Sequence, residues 1–136
     1  MKPRTKIMIV CIVGCIVCLA ALLLYEFYCL HITKPLFLRG KAIAVGDESA
    51  SGEDPFSIYN FHSIKVSEGQ TIEVSMERRI AWISGSRGRV AVKYMQNCYT
   101  ENGKSVYNLE RYDTWYIVKE NGRWTVESIS RYIGPP

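Results

Sequence analysis

Histidine is nearly missing from this 136-residue chain, which carries only His31 and His62. Neither has another His, a Cys or a carboxylate at metal-ligand spacing, so no zinc site is readable. The phosphate loop, the G-x-S-x-G elbow and the kinase motif set are absent as well. Nucleophilic catalysis would need the fold itself to bring Cys98 to His62. No cofactor is expected. An internal cysteine pair is also lacking: Cys11, Cys15 and Cys18 lie in one apolar run, Cys29 just past it, and Cys98 alone in the remainder. That excludes a disulfide scaffold, so the soluble part must be held by its own core. Cys15 and Cys18 have the spacing of a redox pair, but a hydrocarbon-embedded helix denies such chemistry its accessible thiolate.

Charge is absent from Ile7 to Tyr25, a run that reads IMIVCIVGCIVCLAALLLY between Lys6 and Glu26. At about 1.5 Å per residue it is roughly 28 Å long, close to the hydrocarbon thickness of a bilayer. A retained signal-anchor, a transmembrane helix over 7–25, is the reading that fits its length. A cleaved signal peptide would have a shorter apolar core and an A-x-A site. Ile12-Val13-Gly14-Cys15 also resembles a lipobox, which would make Cys15 a lipidated first residue. Lys2, Arg4 and Lys6 precede the run without an acid among them, which favours a cytoplasmic N-terminus (residues 1–6) and an extracytoplasmic soluble domain. Of the 17 Lys and Arg those three precede the run, and of the 13 Asp and Glu only Glu26 precedes His31, so the rest of the chain is nearly balanced. Such a balance argues against nucleic acid as a partner.

Within the run, Cys11, Cys15, Cys18, Leu22, Tyr25 and Cys29 step by alternating fours and threes, a heptad stripe on one side of a helix. Its first half is small, with Gly14 beside it, and small residues let helices approach closely in lipid. Cys11, Gly14, Cys15, Cys18, Leu22 and Cys29 are therefore candidates for helix association, in a homodimer or with a partner membrane protein, with Cys29 placed for an intermolecular disulfide. Chance remains the competing reading, since cysteine is simply a small hydrophobe.

Residues 26–39 read as a juxtamembrane stem, with Tyr25, Phe27 and Tyr28 at aromatic-belt depth and Pro35 ending any helical continuation. A soluble β-rich domain is expected over 40–136. Lys41 to Val45 suits a first strand, Gly46 to Pro55 an exposed acidic loop, and Phe56 to Phe61 a short helix or strand. Ile72, Val74, Met76, Arg78, Ile80 and Trp82 then recur at period two, a long strand with Arg78 the one charged member of its apolar face. A turn at Gly85-Ser-Arg-Gly88 leads to a second strand reaching about Tyr99. Thr100-Glu-Asn-Gly103 and Glu120-Asn-Gly122 are Asn-Gly hairpin turns of type I′, which bound a third strand and open a fourth at Arg123. The expected fold is an N-terminal transmembrane α-helix plus a mainly β, α+β-like domain built on a curved antiparallel four-stranded meander.

The segment Tyr112-Asp-Thr-Trp-Tyr-Ile-Val-Lys-Glu-Asn-Gly-Arg-Trp-Thr-Val126 resembles the end of the nuclear transport factor two-like superfamily, whose cone-shaped domains close with a strand, an Asn-Gly turn and a strand opening on Trp. The resemblance covers about residues 71–130. It implies helices before the sheet, and here Lys34 to Ser67 shows little helical pattern. It also implies that one face of the third strand lines a cavity where family enzymes place acidic groups. Arg111 and Asp113 share a face with Leu109, Trp115 and Ile117, so a pocket of Arg78, Arg111 and Asp113 is one candidate site. A solvated strand end is the other reading of the pair. Several membrane-tethered members of the superfamily are assembly factors of secretion or conjugation machines. With no catalytic motif present, the expected function is a membrane-anchored non-catalytic interaction module, a component of an envelope or transfer complex. The alternative is a small-ligand-binding or enzymatic cone-shaped domain using that pocket.

Overall fold

The structure, a computed structural model, describes residues 2–132. It has an α+β fold: one long N-terminal helix, α1 (Pro3–Val45), two 3-10 turns (Pro55–Tyr59 and Phe61–Ser63) and four strands. These are β1 (Thr71–Ser84), β2 (Arg87–Tyr99), β3 (Ser105–Glu120) and β4 (Arg123–Tyr132), antiparallel in the order β1-β2-β3-β4. The four-stranded meander is as expected. Its buried row runs straight across the sheet: Gly88, Val90, Val92 and Tyr94 of β2 face Ile117, Trp115, Asp113 and Arg111 of β3.

Three local expectations change. The helix does not end at Pro35, and Lys41–Val45 is no strand; α1 runs through both and stops at Gly46, whose left-handed φ of 91° donates its N–H back to Ile43. Proline in a helix interior removes a hydrogen bond and costs about 3 kcal/mol. Here tertiary packing outweighs it, because the second half of α1 lies on the sheet with Cys29, Thr33, Gly40, Ile43 and Ala44 buried. Pro35 itself is exposed. The proposed stem 26–39 and the proposed domain start at residue 40 thus fall within one helix.

The second change is a β-bulge. Arg78 pairs with Val92 and Ile80 with Ala91, which leaves Arg79 as an extra residue. One added residue reverses the faces beyond it. Met76 and Ile83 are buried, whereas Ile80 and Trp82 turn outward, away from the core that the period-two pattern assigned them. The third concerns a turn. Asn121 (φ 51°) and Gly122 (φ 77°) form the expected hairpin with two positive φ values, but at Thr100–Gly103 only Gly103 has one. Gly103 N–H there donates to Thr100 O at 2.9 Å, a type I turn that ends in a left-handed glycine.

Gly40 allows α1 to reach the sheet. A Cβ at this position would lie 2.5 Å from Trp115 Cη2 and 3.0 Å from Phe56 Cε1. In an exposed helix Gly→Ala would stabilise by roughly 0.5–1 kcal/mol. Here the overpacking cost of about 1–3 kcal/mol is larger. Gly40→Ala is therefore expected to lower the thermal unfolding midpoint followed by near-ultraviolet circular dichroism; a rise would show that the contact yields freely.

Residues 6–28 of α1 are exposed throughout, and the helix is long and apolar enough to cross a membrane. Cys11, Cys15, Cys18 and Leu22 keep their stripe open, and Gly14 has nothing within 4 Å of where a Cβ would be. Cys29 does not share that exposure. It is buried in the core cluster, so it is not placed for an intermolecular disulfide while the domain is folded. Cys98 is buried too. In full-length protein both thiols should resist maleimide until denaturant is added, while the three in the apolar segment show no such dependence on unfolding. Modification of Cys29 at the rate of a free thiol under native conditions would contradict this packing.

Candidate functional site

The polar residues singled out on β3 lie at the centre of the core. Arg111 and Asp113 are two residues apart, so both point to the same side of the strand. Arg111 Nε donates to Asp113 Oδ1 at 2.8 Å and Nη2 donates to Oδ2 at 3.2 Å. Asp113 is 1% exposed and Arg111 9%. From the opposite side comes Tyr59, at the end of the first 3-10 turn, whose Oη–H donates to Asp113 Oδ2 at 2.5 Å. Trp115 Nε1–H in turn donates to Tyr59 Oη at 2.9 Å. The result is a chain from indole to phenol to carboxylate, closed by the guanidinium, in which each donor polarises the next. The Arg111 guanidinium also stacks over the Tyr94 ring, 4.5 Å from its centroid.

Electrostatics follow from this packing. Burial raises the Tyr59 phenol far above its usual range, and the hydrogen bond to Asp113 raises it further, so Tyr59 stays a neutral donor. Burial also raises Tyr94, against the pull of Arg111. On the solvent side of the sheet, Lys93 Nζ donates to Glu110 Oε1 at 2.9 Å, and Tyr112 Oη–H donates to the same oxygen at 2.8 Å. Those contacts hold Glu110 below and Lys93 above their ordinary values. Exposed pairs of this kind contribute little to stability.

Arg78 is not part of the β3 cluster. Its Nη1 donates to Leu30 O at 2.9 Å and to Thr33 Oγ1 at 3.0 Å, while Thr33 Oγ1–H donates to Cys29 O at 2.8 Å. Its guanidinium lies over the Phe37 ring. Arg78 thus clamps β1 to α1 in the turns around Pro35, where the helix has lost a donor. Partial burial lowers its pKa, as expected for a cation removed from water.

Chemically, the arrangement is closed. Three donor contacts occupy the two oxygens of Asp113, and no buried side-chain N or O among the described residues lacks a partner. The five surface clefts described are lined by other residues, and none includes Arg78, Arg111 or Asp113. No group of three His, Cys, Asp or Glu among the described residues is arranged to hold a metal ion. Tyr59 is the member that sequence reasoning did not single out. The available signal was an aromatic with a hydroxyl in the Phe56–Phe61 segment, since a buried carboxylate can accept more bonds than the two that one guanidinium edge directs at it. No family model, curated protein or solved structure matches the chain.

Proposed function

We propose that this protein is a single-pass, membrane-anchored, non-catalytic interaction module that presents its β-sheet at a fixed height and orientation above the bilayer, as a component of an envelope or transfer complex. One observation carries this reading: α1 supplies both the exposed apolar segment Ile7–Tyr25 and the buried stripe Cys29, Thr33, Gly40, Ile43 and Ala44. A flexible stem would let the domain tumble; a helix shared by anchor and core does not. The basic residues Lys2, Arg4 and Lys6 orient the N-terminus to the cytoplasm and the sheet to the other side. Membership of the nuclear transport factor two-like superfamily belongs to the same proposal. The second half of α1 and the two 3-10 turns support it, because they cover the sheet where that resemblance asks for helices.

The ligand-binding cone is the less supported alternative. Of its three proposed residues, Arg111 and Asp113 are bonded to each other and Asp113 to Tyr59, while Arg78 is bonded to α1. Photo-crosslinking in native membranes tests the module directly. Benzoylphenylalanine at the exposed positions Tyr107 and Tyr112 should give an adduct of one defined mass, either a partner or a second copy. Uncrosslinked monomer at both sites, with the protein confirmed in the membrane fraction, would count against the proposal.

A further inference from the structure

The bulge at Arg79 leaves an unusual feature at one end of the sheet. Ile80 is 71% exposed and Trp82 52%, on the strand that lies against α1. Strand β1 runs opposite to α1: Val74 and Ile72 share a cleft with Val45, Arg78 meets Leu30 and Thr33, and Ile83 meets Tyr25. As α1 leaves its apolar segment, β1 returns toward it. Tyr25 Oη–H donates to Ile83 O at 2.7 Å, and Ile83 N–H donates back to Tyr25 Oη at 2.9 Å. These bonds hold the end of β1 level with the last residue of the proposed span. Leu22, one turn deeper, lines a cleft of about 340 Å³ together with Ile80 and Trp82. The β3–β4 hairpin lies at the same end, since Lys119 N–H donates to Ser86 O at 2.8 Å.

Charge follows the same axis. Arg87 and Arg89 are exposed around the β1–β2 turn, Arg79 farther back on β1 over the Tyr112 ring, with Lys119 and Arg123 on the neighbouring hairpin. Glu26, Glu120 and Glu127 oppose them only in part, Glu127 lying 3.8 Å from Arg87. At the far end, Glu68, Glu73 and Glu101 are exposed near the β2–β3 turn, where Lys104 opposes them only in part. A tryptophan and an isoleucine ringed by arginines are the side chains that suit the boundary between headgroups and acyl chains.

We propose that this end of the sheet is a second membrane contact, with Trp82 and Ile80 seated in the headgroup layer and Arg87 and Arg89 binding anionic phospholipid. The inference rests on Ile7–Tyr25 spanning the same bilayer and goes beyond the interaction module. It sets the tilt of the domain and keeps the outer face near Trp82 against lipid.

The test uses the full-length chain in vesicles of phosphatidylcholine with or without phosphatidylglycerol, doped with headgroup-nitroxide lipid. The readout is tryptophan emission of the wild type minus that of Trp82→Phe. The expected Trp82 component is blue-shifted, quenched by the labelled lipid and shielded from acrylamide, more strongly with phosphatidylglycerol. The variant Arg87→Glu/Arg89→Glu should remove that lipid dependence. A Trp82 open to acrylamide and untouched by the nitroxide, in protein that floats with the vesicles, overturns the inference and leaves the anchor standing. Shielding from both quenchers indicates a second copy on this face and overturns it too. Equal quenching on pure phosphatidylcholine overturns the anionic-lipid assignment. Protein that fails to float removes the anchor and the inference together.

Discussion

Asp113→Ala is expected to destabilise the folded domain by about 3–5 kcal/mol, the usual cost of leaving a buried charge without its partner. Arg111 would keep its guanidinium in the core with no carboxylate to meet Nε and Nη2, and the Tyr59 hydroxyl would lose its acceptor. Such a loss is a large part of the 5–15 kcal/mol that typically holds a domain together. The near-ultraviolet dichroism of the packed aromatics should therefore melt at much lower temperature, while far-ultraviolet helix signal from the apolar segment persists. A second variant separates structure from chemistry. Replacing both partners by apolar residues, Arg111→Met with Asp113→Leu, should recover the part of the loss that comes from the stranded guanidinium, while the Tyr59 hydroxyl still lacks its acceptor. If Asp113→Ala melts like the wild type, the pair is not the structural element described here.

Trp115→Ala is expected to have an effect of similar size, about 3–5 kcal/mol, the range for removing a large buried aromatic. This indole is the point where helix, 3-10 turn and sheet meet. Its ring lies 5.0 Å from Phe56, edge to face, 6.0 Å from Tyr59 and 6.3 Å from Phe37 of α1. Its N–H also fixes the Tyr59 hydroxyl that donates to Asp113. The coupling to Gly40 gives a sharper test than the magnitude. With the indole gone, the obstacle 2.5 Å from a Gly40 Cβ is gone as well, and Phe56 Cε1, 3.0 Å from that Cβ, gains the vacated space to move into. Gly40→Ala, destabilising alone, should then become stabilising by roughly 0.5–1 kcal/mol through helix propensity. A double-mutant cycle would read this change of sign as an interaction energy within the range of about 0.5–3 kcal/mol found for residues in contact. Strict additivity would mean that Gly40 and Trp115 do not pack as described.

Much of the sheet was legible because its information is local. Alternation in β2 and β3, and the Asn121-Gly122 turn, carry their meaning within a few residues. The features that escaped depend on partners far along the chain. Nothing around Pro35 announces that the helix continues, since the compensation comes from packing on β1 and from Arg78, bonded to Leu30 across 48 positions. Likewise the bulge at Arg79 leaves the apolar alternation of Ile80 and Trp82 looking regular while the structure reverses their faces. For the candidate site, the shared face of Arg111 and Asp113 could be read from their spacing. That the face is sealed rather than open could not, because the sealing residue, Tyr59, lies 54 positions away on a turn with no periodic pattern.

The central claim is that one rigid helix joins the apolar segment to the sheet. Double electron–electron resonance on the full-length chain in nanodiscs tests it most directly, with spin-labelled unnatural amino acids at the exposed positions Lys6 and Lys41. A continuous helix between them places the backbones roughly 50 Å apart at about 1.5 Å per residue. The account predicts a single narrow distance distribution near that value. A broad distribution, or one displaced well to either side of that value, as a break at Pro35 followed by an extended segment would produce, would contradict it.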